Sequence, residues 1–438
     1  LLVGNWRILN DYRICFFAIT LLLLYILKTN IKEWKLIIDH NFLLMFGFIY
    51  YWYLPFISYE MQDRGNVFLS IDVVESYERV SYEAKVWYLI TSVLLILSFI
   101  LGEIIFKKKS HKWNFLKSKY DFSKTPIHLF FYGLVLFGII SLKYMLPVLF
   151  RGYSAVSEWP LQRGWFISVN VSLIVLFCIY ASNRVDFYNI SGNRKDKFKI
   201  FFNQYLIVSF LFGFLMYSTG NRGYLTLSVI SILLVLHKVS KGFPIIPSIF
   251  VISFLGILNA IWGHIRAQNS VTFFKILQAI LMEPGYVGMT LISHLIRNEF
   301  SFIEFPISLL GNIIGMIPSI IFPDKFKYIQ AITEMGKPIN VFQGTTHNYV
   351  ELMANFGLIG SMIFMFLLSL SLNFLKRNES LSGIYIAICS FLPFFFFRDL
   401  PNTLIKYIFE FTIILSILLY YSNSIIIKIR NKIISRND

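Results

Sequence analysis

Of the 438 residues, 56% are hydrophobic, 18% aromatic and only 15% charged, too little charged surface for a soluble domain of this length. The net charge of +16 suggests nucleic acid at first. The cations, however, gather in short segments between apolar blocks, where they act as topology determinants beside anionic headgroups, so nucleic-acid binding is a poor reading. Cys15, Cys178 and Cys389 fall within apolar blocks and form neither a disulfide framework nor a metal site.

The apolar blocks are long enough to cross a bilayer. They predict an all-α integral membrane protein with about eleven spans, in one polytopic domain covering residues 1–438. The first four lie near Ile14–Leu27, Ile37–Ser58, Val86–Phe106 and Ile127–Phe150. The next four lie near Trp165–Ala181, Ile200–Tyr217, Tyr224–Leu236 and Ile245–Trp262. The last three are near Tyr349–Leu375, Leu381–Phe397 and Thr403–Tyr421. Residues 263–348 form the largest loop, with two apolar stretches, Phe273–Met282 and Ile307–Phe322. These are expected to be interfacial or re-entrant helices; if both cross, the count rises to about thirteen with parity unchanged. No cleavable signal peptide is expected, since Asn10, Asp11 and Arg13 interrupt the first block.

Lys107, Lys108 and Lys109, Arg194 with Lys195, Lys376 with Arg377, and the tail from Lys428 to Arg436 fall in one set of loops. That set is predicted to be cytoplasmic, with the C-terminus among it. The opposite set, external, holds the Glu60–Lys85 hairpin and the long loop.

Ionisable groups inside a membrane are costly, so their positions carry information. Most candidates fall near the predicted outer boundary: Arg151, Arg163, Arg222, His264, Arg266, His347, Glu351, Arg398 and the Lys406–Glu410 pair. Arg222 lies in Ser218-Thr-Gly-Asn-Arg-Gly223, ahead of a span that reads only from Tyr224 to Leu236. That is roughly 20 Å of helix against a core of about 30 Å, which would draw Arg222 below the headgroups, towards a polar cavity or as a snorkelling side chain. His347 and Glu351, four apart, share a helix face, so the carboxylate is placed to orient the imidazole or raise its basicity. Lys406 and Glu410 have the same spacing and suit a self-neutralised pair equally well. No nucleotide-binding loop, His-Glu-x-x-His pair or Gly-x-Ser-x-Gly elbow occurs, so neither cofactor nor metal is expected. Arginine forks facing a lipid–water boundary suit a lipid diphosphate, and would stabilise charge on that diphosphate as it departs.

The stretch Thr345-Thr-His347-Asn348-Tyr349-Val-Glu351-Leu-Met-Ala-Asn-Phe-Gly357-Leu-Ile-Gly360 resembles the signature of the O-antigen polymerase and ligase superfamily. The Arg222-Gly223 turn, and the order of long outer loop then final spans, are similar to that family too. The resemblance implies a fold of the integral-membrane, GT-C type, and an inverting, metal-independent glycosyltransferase of the bacterial inner (cytoplasmic) membrane. It would polymerise undecaprenyl- or other polyprenyl-diphosphate-linked oligosaccharides into the O-antigen of lipopolysaccharide, or into capsule. His347 would act on the acceptor or bind phosphate, Arg222 would bind pyrophosphate, and Arg266 matches a further arginine by position. Asn348 belongs to the motif, while Arg398, Arg151, Arg163 and Lys406 join the substrate-binding candidates. Implied partners are the lipid-linked donor and acceptor, membrane lipids, a chain-length regulator and a flippase. No outward arginine here has a glycine eleven residues later, a departure from some polymerase loops. The alternatives are an O-antigen ligase and, outside enzymes, a flippase or exporter of the same lipid-linked sugar.

Overall fold

The computed structural model describes residues 12–60, 71–109, 124–151, 163–191, 203–219, 223–240, 242–246, 250, 257, 261, 273–297, 300–317, 322–336, 346–399 and 401–437. These residues are almost wholly helical. Nine helices among them are long and apolar enough to cross a membrane, and Gln204–Ser218 and Ile307–Met316 are shorter apolar helices. The nine coincide with nine of the expected spans. The expected sixth span is the 15-residue helix Gln204–Ser218, and the eighth, Ile245–Trp262, falls almost entirely outside the described residues.

Two compact units emerge, each assembled from separated stretches of chain. The first contains α1 (Tyr12–Asn30), α2 (His40–Gly47), α3 (Leu54–Glu60), α4 (Ile71–Glu78) and α5 (Tyr82–Lys109). Between α2 and α3 the segment Phe48–Tyr53 winds as a π-helix, so the three run on as one span, His40–Tyr59. The second unit contains α6 (Lys124–Met145), α7 (Arg163–Ser191), α8 (Gln204–Ser218) and α9 (Gly223–Ser240). The chain then returns to the first unit for α10 (Phe273–Arg297), α11 (Ile307–Met316), α12 (Lys325–Met335) and α13 (Asn348–Arg377) as far as Phe374. α14 (Ser382–Phe391) lies in the second unit, the π-helix Leu392–Phe396 in the first, and everything from Ile405, including α16 (Leu415–Asn437), in the second. A short helix α15 (Pro401–Lys406) joins them.

The core of the second unit is α7. Val171, Leu173, Ile174, Val175, Leu176 and Cys178 are completely enclosed, with α6, α8, α9 and α14 packed around the helix. Gly383 lets α14 come so close that a Cβ there would stand 2.7 Å from the Ile179 Cα, the small-residue route to tight helix contact in membranes. On the outer side of α6, Leu129, Leu136 and Ile139 are exposed; apolar residues on such a face suit lipid as their solvent.

In the first unit, prolines inside helices decide where side chains reach. Pro284 sits within α10 and has no N–H for the carbonyl four residues back. That carbonyl, of Ile280, accepts instead from the Tyr50 hydroxyl at 2.9 Å. A turn further on, the Tyr59 hydroxyl donates to the Gly285 carbonyl at 3.2 Å, and Gly288 leaves room for the Tyr59 ring.

Two expectations are corrected. Phe273–Met282 is not a short separate helix but the start of α10, which runs on unbroken by Pro284 to Arg297, 25 residues in all. The stretch from Ile307 forms the helix Ile307–Met316, and residues 318–321 lie outside the described residues. The helix after Arg222 runs from Gly223 to Ser240, 18 residues, or about 27 Å, because His237 and Lys238 continue it. Its length therefore gives no reason for Arg222 to be drawn into the membrane.

α13 is broken at Gly357, with φ 64° and ψ −169°, a region open essentially to glycine alone. The extended segment 301–304 fits into the break. Glu304 N–H donates to the Phe356 carbonyl (3.2 Å), Leu358 N–H to Ser301 (3.0 Å) and Ile359 N–H to Phe302 (2.9 Å). A Cβ on Gly357 would stand 2.7 Å from the Ile303 backbone nitrogen. Gly357→Ala is therefore expected to destabilise the protein by about 3 kcal/mol or more. Gly133→Ala, which meets nothing within 4 Å, should leave the melting temperature of the detergent-solubilised protein nearly unchanged.

Candidate functional site

The site is built on a second proline. Pro55 occupies the position that would donate to the Tyr51 carbonyl in a regular helix, and proline has no N–H. His347 supplies a donor from elsewhere in the chain: its Nε2 lies 3.1 Å from the Tyr51 oxygen. Since a carbonyl only accepts, Nε2 carries the proton and Nδ1 faces inward as an acceptor. His347 is fully enclosed, 0% exposed, and Nδ1 has no hydrogen-bond partner among the described residues. The imidazole stacks on Trp52 with centroids 6.2 Å apart and planes 26° off parallel.

The neighbouring residue is held by the same segment. Trp52 Nε1–H donates to Asn348 Oδ1 at 2.6 Å, and Tyr88 donates to the Trp52 carbonyl at 3.0 Å. Asn348 Nδ2, also buried, has no hydrogen-bond partner among the described residues. Behind them Phe397 packs edge-on to Phe48 and Trp52, its ring accommodated by the missing side chain of Gly47.

Arg398 joins the site through the backbone. Thr346 N–H donates to the Arg398 carbonyl at 2.9 Å, and the Thr346 hydroxyl to the Asp399 carbonyl at 3.2 Å. The Arg398 side chain is half-buried, its Nε 3.9 Å from an Asp399 carboxylate oxygen, too long for a strong ion pair.

Glu351 is buried in the first turn of α13. Its carboxylate turns away from His347 to Asn355, whose Nδ2 lies 3.3 Å from Oε2 and 2.9 Å from the Glu351 carbonyl. The other end of that amide holds α11: Asn355 Oδ1 accepts from the Ser308 hydroxyl (2.7 Å) and the Leu309 N–H (3.0 Å). The orienting partner of His347 is thus the Tyr51 carbonyl, and Glu351 serves a different chain of contacts.

The structure brings His347, Asn348, Glu351 and Arg398 together in the first unit. Arg151 is exposed and Arg163 half-buried at the start of α7, both in the second unit. Lys406, also there, is exposed, with Nζ 3.9 Å from Glu410 Oε2. Arg222 and Arg266 lie outside the described residues. Tyr51, Trp52, Thr346 and Asn355 were not foreseen, although Pro55 within an apolar block already signals a carbonyl in need of a donor. Among the described residues no group of three or more His, Cys, Asp or Glu side chains stands close enough to hold a metal ion. No family model, curated protein or solved structure matches this chain.

His347 lies just ahead of the α13 span, and burial pushes its pKa well below the ordinary imidazole value. The Tyr51 hydrogen bond opposes this in part, and His294 adds slightly to it. The direction favours the neutral ring, which suits a hydrogen-bond donor to Tyr51 more than a phosphate-binding cation. A histidine with a depressed folded pKa contributes stability that is complete above the unfolded value of about 6.5 and is lost as pH falls below it. Wild type should accordingly lose stability on acidification below about pH 6.5 by up to about 1.4 kcal/mol per pH unit more than His347→Gln. Parallel melting curves of the two proteins in detergent between about pH 4.5 and 8 check this; superimposable pH dependence would show that the ring is not held neutral.

Proposed function

We propose that this chain is a membrane glycosyltransferase that joins polyprenyl-diphosphate-linked oligosaccharide repeat units into O-antigen or capsular polysaccharide. The transfer is inverting and metal-independent, on the outer face of the bacterial cytoplasmic membrane, in a fold of the integral-membrane GT-C type. What supports this most is the setting of the His347–Asn348 motif at the head of an apolar helix. A buried carboxylate, Glu351, lies one turn along that helix, and the Arg398 backbone carbonyl accepts from the Thr346 N–H just ahead of the motif.

In this reading Glu351 takes the proton of the acceptor hydroxyl at the non-reducing end of one lipid-linked unit. The hydroxyl oxygen bonds to the anomeric carbon of the donor glycan as the bond from that carbon to the diphosphate breaks. Arg398 neutralises the charge that develops on the departing polyprenyl diphosphate, with Arg222 and Arg266 as further candidates from the family resemblance. His347 and Asn348 hold the start of α13 against Tyr51 and Trp52. A chain-length regulator and a flippase would act beside it. Transfer to a different acceptor would make the protein a ligase.

Membrane vesicles reconstituted with the protein and lipid-linked repeat units test the assignment: chains should lengthen. Repeat units that only change leaflet would identify a flippase. Arg398→Ala is expected to lower elongation about 100-fold, and Arg398→Lys to restore little, since a point charge does not reproduce a bidentate fork. Glu351→Gln, close in shape, should lose turnover while retaining donor binding.

The external placement of the long loop has its own check. Gln330 and Glu75 are exposed in the fold. Single cysteines at these two positions, in a cysteine-free background, should react with a membrane-impermeant thiol reagent added to intact cells. Protection of both until the cells are broken would invert the topology and the site with it.

A further inference from the structure

The first two spans are joined by a small finger of sheet. β1 (Ile31–Lys32) and β2 (Lys35–Leu36) pair antiparallel with Lys32 opposite Lys35, and β3 (Phe243–Pro244) adds to β2 with Pro244 opposite Lys35. Glu33 and Trp34 form the turn between β1 and β2, and the Trp34 side chain at the tip is 87% exposed. We propose that this finger is a membrane-surface anchor, which lays the Trp34 indole among lipid headgroups and binds anionic phospholipid through the lysines around it. The proposal stands apart from the transferase reading and needs only that the apolar helices cross a bilayer.

The turn is built against local preference. A two-residue hairpin turn with positive φ at both positions is adopted without strain by Asn-Gly or Gly-Gly. Here φ is 49° at Glu33 and 60° at Trp34, a region that a bulky side chain enters only at a cost. Nor does the indole contribute to the core, since most of its surface lies outside the fold. A residue that strains its own backbone and packs on little else in the chain points to a contact beyond it.

The finger is held at a fixed angle. At its base the Ile37 N–H donates to the Asn30 carbonyl (2.7 Å), while Asn30 Nδ2 donates to the Ile37 carbonyl (2.8 Å) and to Asp39 Oδ1 (2.7 Å). Asp39 also caps α2, accepting from the Asn41 and Phe42 N–H groups. At the tip the Trp34 carbonyl accepts from the Ile245 N–H, just past β3, at 3.4 Å. One span ends at Asn30 and the next begins at His40, so at about 3.3 Å per residue the tip extends at most roughly 13 Å beyond the span ends. The headgroup layer is itself about 5–8 Å deep on each side of the hydrocarbon. The indole is therefore confined to the neighbourhood of the headgroups.

Charge complements this placement. Lys28, Lys32 and Lys35 are exposed around the finger, whose one acid is Glu33. Asn41 Nδ2 donates to Glu103 Oε1 at 2.9 Å, which puts the base of the finger at the end of α5 that carries the exposed Lys107 and Lys108. Ile31 and Ile246, 37% and 80% exposed, extend the apolar surface along β1 and beyond β3. An indole with aliphatic neighbours and lysines is the combination that settles at a lipid–water boundary. In the orientation proposed above this end meets the cytoplasmic leaflet, the anionic one.

The test uses the full chain in a cysteine-free background, with Glu33→Cys carrying an environment-sensitive fluorophore, in vesicles of phosphatidylcholine and phosphatidylglycerol. Phospholipid spin-labelled at the headgroup should quench the fluorophore strongly, and aqueous iodide weakly; Trp34→Ala should reverse that order. Lys35→Gln should lower the ratio of docked to undocked finger about fivefold, and vesicles of phosphatidylcholine alone should shift it the same way. Trp34→Gly, which suits positive φ, separates anchoring from folding: lipid quenching should be lost while the melting temperature holds or rises. Lipid quenching that survives Trp34→Gly, or a lowered melting temperature in that variant, overturns the anchor. So does a fluorophore open to iodide in vesicles yet shielded in native membranes, which would mark a protein partner.

Discussion

The first unit depends on a hydrogen bond between distant stretches of chain, from His347 Nε2 to the Tyr51 carbonyl. In α-helical register the residue facing that carbonyl is Pro55, which has no N–H, and a buried carbonyl left without any donor costs of the order of 1–3 kcal/mol. His347, almost 300 residues away in sequence, provides the donor, and its position fixes the start of α13. Asn348 is then locked by Trp52, and Thr346 by the Arg398–Asp399 turn. The same device recurs at Pro284, whose stranded carbonyl is taken by Tyr50, next in sequence to Tyr51. Adjacent residues of one π-helical segment thus use two prolines to anchor two other parts of the unit.

This arrangement divides labour among groups that look interchangeable on paper. His347 is buried, neutral and committed through Nε2, which suits positioning more than proton transfer. Glu351 sits one turn along, its carboxylate on Asn355, whose other end holds α11. Thr346 ties the start of α13 to the Arg398–Asp399 turn through two backbone carbonyls. The break at Gly357 belongs to the same design, because it admits the 301–304 segment that brings Glu304 alongside the helix.

Much of the architecture is legible in the sequence, since long apolar blocks have few ways to fold in a membrane. Nine expected spans reappear as helices. What failed has physical causes. α10 was cut short because Pro284 reads as a terminator, whereas a side chain from elsewhere takes up the stranded carbonyl. α9 was cut short because His237 and Lys238 read as loop, although both continue the helix, with Lys238 bonded to Ser182 and Ser382. The pairing of His347 with Glu351 followed from spacing alone. Four-residue spacing places two groups on one face but does not choose their partners, and Tyr51 and Asn355 compete successfully for them.

The central claim is that His347 is the donor Pro55 withholds, and a double-mutant cycle between the two tests it most directly. Pro55→Ala offers a backbone N–H to the Tyr51 carbonyl in α-helical register. The cost of His347→Ala, measured by denaturant titration of the detergent-solubilised protein, should then be smaller in the Pro55→Ala background than in wild type by about 1 kcal/mol or more. Strictly additive effects would contradict it, showing that His347 and the proline-opened carbonyl do not depend on each other.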